Sequence, residues 1–175
     1  KPARLPGMTM GPFGTHFDRT QTWWRQVKPW LKYQQRCQYL LQEGQFDCDV
    51  AWYCPAGYLY INWGANPHRM PTPVIDGFTY DFVSDTSLKE MKVAEGRLVL
   101  PSGQSYALLV LPEKAFELPP AGRRRLDALK AAGATILSFE EAKDALARRT
   151  PDFATADGRT KVNWIHRHDA EADWY

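Results

Sequence analysis

The sequence predicts an α/β fold in which helices cover both faces of an open, mostly parallel sheet. Short apolar segments with strand character alternate with helical segments from residue 45 to residue 149, and this alternation is typical of parallel sheets. The chain has 175 residues, of which 44% are hydrophobic and 24% are charged, as is ordinary for one globular domain with a real core. We therefore expect three layers, a strand order of 2-1-3-4, an antiparallel hairpin added at one edge and a long N-terminal helix.

The first predicted element is this long amphipathic helix, which follows an irregular lead-in rich in proline and glycine. Asp18, Thr20 and Thr22 can each serve as its N-cap, and Gly44 can end it. Pro29 either kinks the helix or restarts it as its first residue. We expect the apolar face to pack on the sheet. Its residues recur at helical spacing, at Trp23, Val27, Trp30, Leu31, Cys37, Leu40 and Leu41.

The remaining elements follow from apolar runs that turn residues interrupt. Asp85 or Thr86 is suitable as the cap of a short helix, and Gly133 stops a longer one. Sheet strands are expected at 46–55, 78–84, 106–111 and 134–139, a hairpin within 93–106, helices at 87–91, 119–132 and 140–149, and a further strand at 161–168.

Ligands of open parallel sheets bind beyond the carboxyl ends of the strands. In this chain those ends carry the connection 56–77, the Ser84-Asp85-Thr86 turn and the segment 112–118. The long connection is aromatic, which is more typical of a functional loop than of disorder. One hypothesis is therefore a carbohydrate-binding module that uses Tyr58, Tyr60 and Trp63.

Several kinds of chemistry lack the residues that they need. No GxxxxGK[ST] and no GxGxxG follow the first strand, so we expect no nucleotide, flavin or other cofactor. The position where an amidotransferase needs its nucleophilic cysteine reads Leu111-Pro112-Glu113-Lys114. Cys54 has no histidine placed to activate it, and the odd count of three cysteines argues against a disulfide framework. The net charge of +2 and the lack of a long apolar run predict neither a nucleic-acid partner nor a membrane span.

A metal site and a catalytic carboxylate pair are both considered and not predicted. His166 and His168 lie on one face of a strand with Asp169 adjacent, but exposed hairpin histidines are more common than metal ligands. Glycoside hydrolysis needs two carboxyl groups that flank the sugar bond. Most of the acids near aromatic residues are expected at strand starts, in turns or at helix caps. Asp18 is the exception, because it could lie beside a substrate. These acids are Asp18, Asp49, Asp81 and Asp85.

A polar and aromatic segment stands directly before the helix, and it is the predicted binding site. Tryptophan rings offer flat apolar faces on which sugars stack, and charged side chains beside them can bind hydroxyl groups. The predicted substrate-binding residues are His16, Asp18, Arg19, Trp23 and Trp24.

Three blocks of the sequence resemble the α-L-rhamnosidase-like glycoside hydrolases of family 106 and related large bacterial proteins. The resemblance spans most of 11–139, fades between 140 and 161, and returns at Trp164-Ile165-His166-Arg167 and at Asp173-Trp174-Tyr175. The blocks are GPFGTHFDRTQTWWRQVKPWLKYQQRCQYLLQEGQFDCDVAWY, GFTYDFVSDTSL and GRLVLPSGQSYALLVLP.

The resemblance implies a piece of a very large periplasmic or secreted enzyme that acts on rhamnose-containing glycans. Residues 1–44 would end a preceding barrel, 45–160 would form a flavodoxin-like or glutamine-amidotransferase-like domain, and 161–175 would begin a β segment. The catalytic carboxylates would lie elsewhere in the parent polypeptide, and the predicted binding residues would line a sugar pocket at the barrel's C-terminal face. The alternative is a non-catalytic scaffold or oligomerisation domain.

Overall fold

The computed structural model describes Gly7 and residues 13–54, 75–112 and 120–175. The chain divides into two compact units, residues 1–43 and residues 44–175. Among the described residues, no helix is both long and apolar enough to cross a bilayer.

The first unit contains a 3₁₀ turn, Trp24–Gln26, that leads into helix α1, Val27–Leu40. Pro29 is the third residue of α1, where a backbone N–H has no partner within the helix, so the helix restarts near Pro29 instead of kinking around it. The predicted caps are wrong, because Gln26 holds the N-cap position without a side-chain bond. Gly44 does adopt a positive φ of 58°, but it lies beyond the C-cap, Leu41.

Helix α1 does not bury its apolar face as expected. Among its fourteen described residues, Val27 alone is buried. Trp30 and Tyr33 stack on each other with ring centroids 6.0 Å apart, and both rings are about half exposed. Tyr39 and Leu40 are exposed as well.

The second unit is built around a parallel sheet with smaller antiparallel sheets beside it. Its described residues hold ten strands and three helices. The strands are β1 Gln45–Asp47, β2 Val50–Tyr53, β3 Tyr80–Val83, β4 Lys92–Ala94, β5 Arg97–Val99, β6 Ser105–Tyr106, β7 Leu108–Leu111, β8 Ile136–Ser138, β9 His166–His168 and β10 Asp173–Trp174. The helices are α2 Asp85–Glu90, α3 Pro120–Ala131 and α4 Phe139–Leu146.

The parallel sheet has the order β3-β2-β7-β8. Val50 lies opposite Tyr80 on one side and Leu108 on the other, and Leu109 lies opposite Ile136. In the sequence of its own strands this is the order 2-1-3-4. The predicted fold class and strand order are therefore confirmed.

The sheet is covered on both faces, which makes the predicted three layers. Ala51 and Tyr53 point into one core, which includes leucines of α2 and α3. Val50 and Trp52 point into the other core, against Leu146 of α4. A strand that is buried on both faces reads as a continuous apolar run, and that is why the VAWY segment could be recognised.

Two antiparallel sheets complete the unit. Strands β4, β5 and β6 form the predicted hairpin region, which turns at Glu95 and Gly96, both with positive φ. Strands β1, β9 and β10 form the other sheet. The predicted strand 46–55 is therefore two strands in different sheets, because the strand conformation is interrupted at Cys48-Asp49 between β1 and β2. The predicted strand 161–168 is ordered as a strand only at His166–His168.

Serines set the starts of α2 and α4, and for α2 this serine is not one of the predicted residues. The Ser84 side chain accepts from the N–H of Ser87 and caps α2, in place of Asp85 or Thr86. Ser138 and Glu141 form a capping box at the start of α4. Gly133, with a φ of 97°, follows α3 as predicted.

Candidate functional site

The predicted binding segment forms a small aromatic cluster in the first unit. The ring of Phe17 lies 5.3 Å from that of Trp23 and 5.8 Å from that of Trp24, between ring centroids. Such tilted and edge-on contacts are favourable aromatic arrangements. Phe17 remains about half exposed, and His16 is half-buried. The segment thus brings together an accessible aromatic surface.

Asp18 shapes the turn that connects Phe17 to the two tryptophans of this cluster. Its Oδ1 accepts from the N–H of Thr20 at 2.9 Å and from Thr20 Oγ1 at 2.5 Å. Its carbonyl accepts from the N–H of Gln21 at 3.1 Å, and Gln21 is buried. Arg19, in the same turn, is exposed. The structure therefore gives Asp18 a role in local folding and leaves Arg19 as the accessible charge of the segment.

The carboxyl edge of the parallel sheet is the second place where a site is expected. The hydroxyl of Tyr53 donates to Asp85 Oδ1 at 2.5 Å; burial and this bond raise the pKa of Tyr53. Burial, followed by the charge of Asp85, also raises the pKa of Cys54. A protonated thiol is a poor nucleophile, so this environment does not activate Cys54. Tyr58, Tyr60 and Trp63 lie outside the described residues.

The other acids considered for glycoside hydrolysis have partners within the second unit. Asp49 Oδ1 lies 3.1 Å from Arg97 Nη1. Asp81 Oδ2 accepts from the hydroxyl of Tyr106 at 2.8 Å. These contacts join strands and loops of the unit, and they account for the positions of both carboxylates without a substrate.

A histidine with acidic neighbours lies in the sheet of β1, β9 and β10. His166 is almost fully buried. Its Nδ1 lies 3.0 Å from both carboxylate oxygens of Asp152, and its Nε2 lies 3.2 Å from Asp173 Oδ1. The ring of Tyr175 stacks on the imidazole at 4.2 Å. Both ring nitrogens are therefore engaged with carboxylates.

The electrostatics of His166 follow from these contacts. Burial lowers the pKa of His166, but the hydrogen bonds with Asp173 and Asp152 and the charges of Asp152 and Asp47 outweigh it, so the pKa is raised overall. An imidazolium that donates from both nitrogens fits this geometry. An imidazolium of this kind has no free lone pair on either nitrogen.

Sequence reasoning selected this pair of histidines but missed the residues around it. His168 Nδ1 lies 3.4 Å from Asp47 Oδ2, whereas Asp169 accepts from the N–H groups of Glu171 and Ala172 in a local turn. In the part of the chain that the structure describes, no three histidine, cysteine or acidic side chains are placed to hold a metal ion. The acidic neighbours Asp47, Asp152 and Asp173 come from three separate segments of the chain, and no spacing rule indicates them.

Comparisons with known proteins agree with the resemblance and with the fold. The model of the alpha-L-rhamnosidase family, glycoside hydrolase family 106, matches residues 1–147. A protein of Formosa agariphila described as a putative beta-glucuronidase is 28% identical over 209 aligned positions, which cover 97% of this chain and 17% of that protein. The solved structure of a rhamnosidase from Novosphingobium sp. PP1Y superimposes with a TM-score of 0.68 at 23% identity, covering 91% of this chain and 20% of that chain. The chain therefore spans about a fifth of the length of these relatives.

Proposed function

The chain belongs to the alpha-L-rhamnosidase family of glycoside hydrolases, and from this premise we propose that it is an accessory region of an enzyme that hydrolyses terminal α-L-rhamnosyl residues. The family match over residues 1–147 carries the proposal. Asp49, Asp81 and Asp85, the acids considered for catalysis in the second unit, are engaged with Arg97, Tyr106 and Tyr53. The catalytic carboxylates then belong to other parts of the parent polypeptide.

Within this enzyme, the segment from Thr15 to Trp24 forms part of the wall of the sugar pocket. The support is the aromatic cluster of Phe17, Trp23 and Trp24, with the exposed Arg19 next to it. In this proposal, residues 1–44 are the end of a barrel, residues 45–160 are the α/β domain and residues 161–175 are the start of a β segment.

The test of the pocket role is the kcat/KM of the full-length parent enzyme on an aryl α-L-rhamnoside. We expect Arg19→Ala and Trp23→Ala each to lower it about tenfold, the loss of roughly 1.4 kcal/mol of transition-state binding. Arg19→Ala is the cleaner variant, since this exposed side chain does not take part in the aromatic cluster described above.

Asp18 needs a matched pair of variants, because its carboxylate also holds the turn. Asp18→Asn keeps an Oδ1 acceptor for Thr20, whereas Asp18→Ala removes it. Loss of activity in both variants, with the fold of Asp18→Asn intact, indicates a charged contact with the sugar. Loss in Asp18→Ala alone indicates a role in the turn. Full activity in Arg19→Ala, Trp23→Ala and Asp18→Ala would remove the segment from the pocket.

A specific observation also favours the scaffold alternative. Exposed apolar surface of the kind that α1 carries at Trp30, Tyr33, Tyr39 and Leu40 marks protein interaction sites. The partner would be another part of the parent polypeptide. The two roles are compatible, because they use different residues. An unchanged Tm of the full-length enzyme that carries Leu40→Ala would count against the scaffold role.

A further inference from the structure

A groove on the second unit lies between the residues before β3 and the segment 153–164. It consists of two depressions, of about 210 Å³ and about 530 Å³. The larger one is within the range of about 300–1,000 Å³ that small-ligand sites occupy. Both are lined by Asp76, Gly77, Lys161, Val162 and Trp164.

Gly77 fixes the distance between the two sides of the groove. Its carbonyl accepts from the N–H of Asp152 at 2.9 Å. Its φ is 82°, and a Cβ at this position would lie 2.4 Å from the Cβ of Pro151. The close approach of the two backbones therefore requires glycine.

Asp157 orders the loop that forms one rim. Its Oδ1 accepts from the N–H groups of Arg159 and Thr160, both at 3.0 Å, and its Oδ2 accepts from Thr160 Oγ1 at 2.6 Å. These bonds hold the pKa of Asp157 well below its usual range, so the carboxylate stays ionised and keeps the turn formed.

An aromatic pair forms part of the wall of the groove. The rings of Phe153 and Trp164 stack with centroids 5.1 Å apart and planes 27° from parallel. Trp164 is half-buried and lines both depressions. A rigid indole with a polar surround is suited to the apolar C–H faces of a sugar ring.

The polar groups of the groove are a donor and an acceptor side by side. Lys161 Nζ lies 2.9 Å from both carboxylate oxygens of Asp76. The two side chains are 81% and 79% exposed, and an ion pair this exposed contributes little to stability. Vicinal hydroxyls of a pyranose both donate and accept, so they can bridge this pair. The Lys161–Asp76 pair is neutral overall, which suits an uncharged ligand, and Arg159 lines only the smaller depression.

We propose that this groove is a second glycan-binding site, which takes one or two neutral pyranose units. Lys161 and Asp76 bind hydroxyls, and Trp164 contacts the ring. That the glycan contains rhamnose rests on the proposed function; the preference for a neutral sugar rests on the groove. The described residues that line it are different from those of the segment 15–24.

The test is affinity electrophoresis of the full-length enzyme in native gels with and without a neutral rhamnan, an uncharged polysaccharide built of rhamnose. We expect retardation of the wild type and a weakening of apparent affinity by about fivefold to tenfold in Lys161→Ala and in Asp76→Asn, the loss of one charge-assisted contact. Lys92→Ala, which removes an exposed lysine from strand β4 away from the groove-lining residues, is the matched control and should migrate as the wild type.

The same proteins are assayed on an aryl α-L-rhamnoside, so that the two proposals can fail separately. We expect unchanged kcat/KM in the groove variants, since this small substrate does not extend to a second site. One outcome is that the polysaccharide retards the wild type more than Lys161→Ala and Asp76→Asn, but that the wild type does not hydrolyse the rhamnoside. This outcome would overturn the proposed function and support the groove as a binding site. A wild type that is not retarded, or that is retarded no more than both variants, would overturn the groove whatever the activity.

Discussion

The parallel sheet and helix α1 use their apolar residues in opposite ways. All four residues of β2 are buried, with Trp52 fully inaccessible. In α1, by contrast, Trp30 is 49% and Tyr39 is 65% exposed, and Val27 alone is buried. Both segments carry tryptophan and tyrosine in the sequence.

This difference shows which of the two regions finds its packing partners within its own unit. The sheet finds its helices and its neighbouring strands within residues 44–175, so its burial is settled inside one unit. The apolar surface of α1 is left open within the part of the chain that the structure describes. Burial of such surface contributes roughly 25 cal/mol per Å², so the helix gains stability if another surface covers it.

The largest expected difference between the two regions is in the effect of a substitution on the free energy of unfolding. Leu109 is fully buried at the centre of the sheet, and we expect Leu109→Ala to cost about 2–5 kcal/mol, from the lost contacts and the cavity left behind. Leu40 is 51% exposed, and Leu40→Ala in the same 175-residue chain should change stability by no more than about 0.5 kcal/mol. Urea denaturation measures both.

Repeating the Leu40→Ala measurement in the full-length enzyme sharpens the result. A larger cost there than in the isolated chain would show that another region covers α1. A cost near that of Leu109→Ala already in the isolated chain would mean that the helix buries this residue by itself, and the contrast between the two regions would disappear.

The sequence could predict the sheet because its signals are local. Runs such as Val50–Tyr53 and Leu108–Leu111 are apolar throughout, and the alternation of strands with helices limits their order. Local signals also placed Gly133 after α3. They could not show that Cys48-Asp49 divides one apolar stretch between two sheets, since the partner of β1 is β9, more than a hundred residues later.

The same limit applies to the candidate sites. Helical periodicity indicates which face of α1 is apolar, but it does not indicate what covers that face. Asp85 was assigned to a helix cap, whereas it accepts from Tyr53, 32 positions away. The roles of His16, Asp18, Arg19, Trp23 and Trp24 stay predictions, because contacts within the segment do not indicate what it binds.

A smaller difference between the regions is expected at their helix starts. In α4, Ser138 Oγ accepts from the N–H of Glu141, and Glu141 Oε2 accepts from the N–H of Ser138. Ser138→Ala should cost about 1 kcal/mol, the usual effect of losing an N-cap. Gln26 makes no capping bond at the start of α1, so Gln26→Ala is the control, and it should lower stability by much less. Equal costs in urea denaturation would contradict the assigned caps.

The smallest expected effect is a dependence of stability on pH. It concerns the second unit, which contains His166, whereas α1 contains no histidine. The imidazole of His166 faces Asp47 from β1, Asp152, Asp173 from β10 and the ring of Tyr175, with His168 on the same strand. Its pKa is raised in the folded state, although burial opposes the charge. The imidazolium therefore stabilises the fold fully below the unfolded pKa of about 6.5, and this contribution is lost as the pH rises through the folded pKa.

Urea denaturation between pH 5 and pH 9 measures this contribution as the difference between the wild type and His166→Gln. We expect the difference to favour the wild type at low pH and to shrink as the pH rises. Asp173→Asn removes the charge beside Nε2, from a side chain that is largely exposed, and should weaken the dependence on pH without abolishing it, because Asp152 remains at Nδ1. A difference between wild type and His166→Gln that stays constant over this range would mean that His166 is held neutral, and that its neighbours serve packing alone.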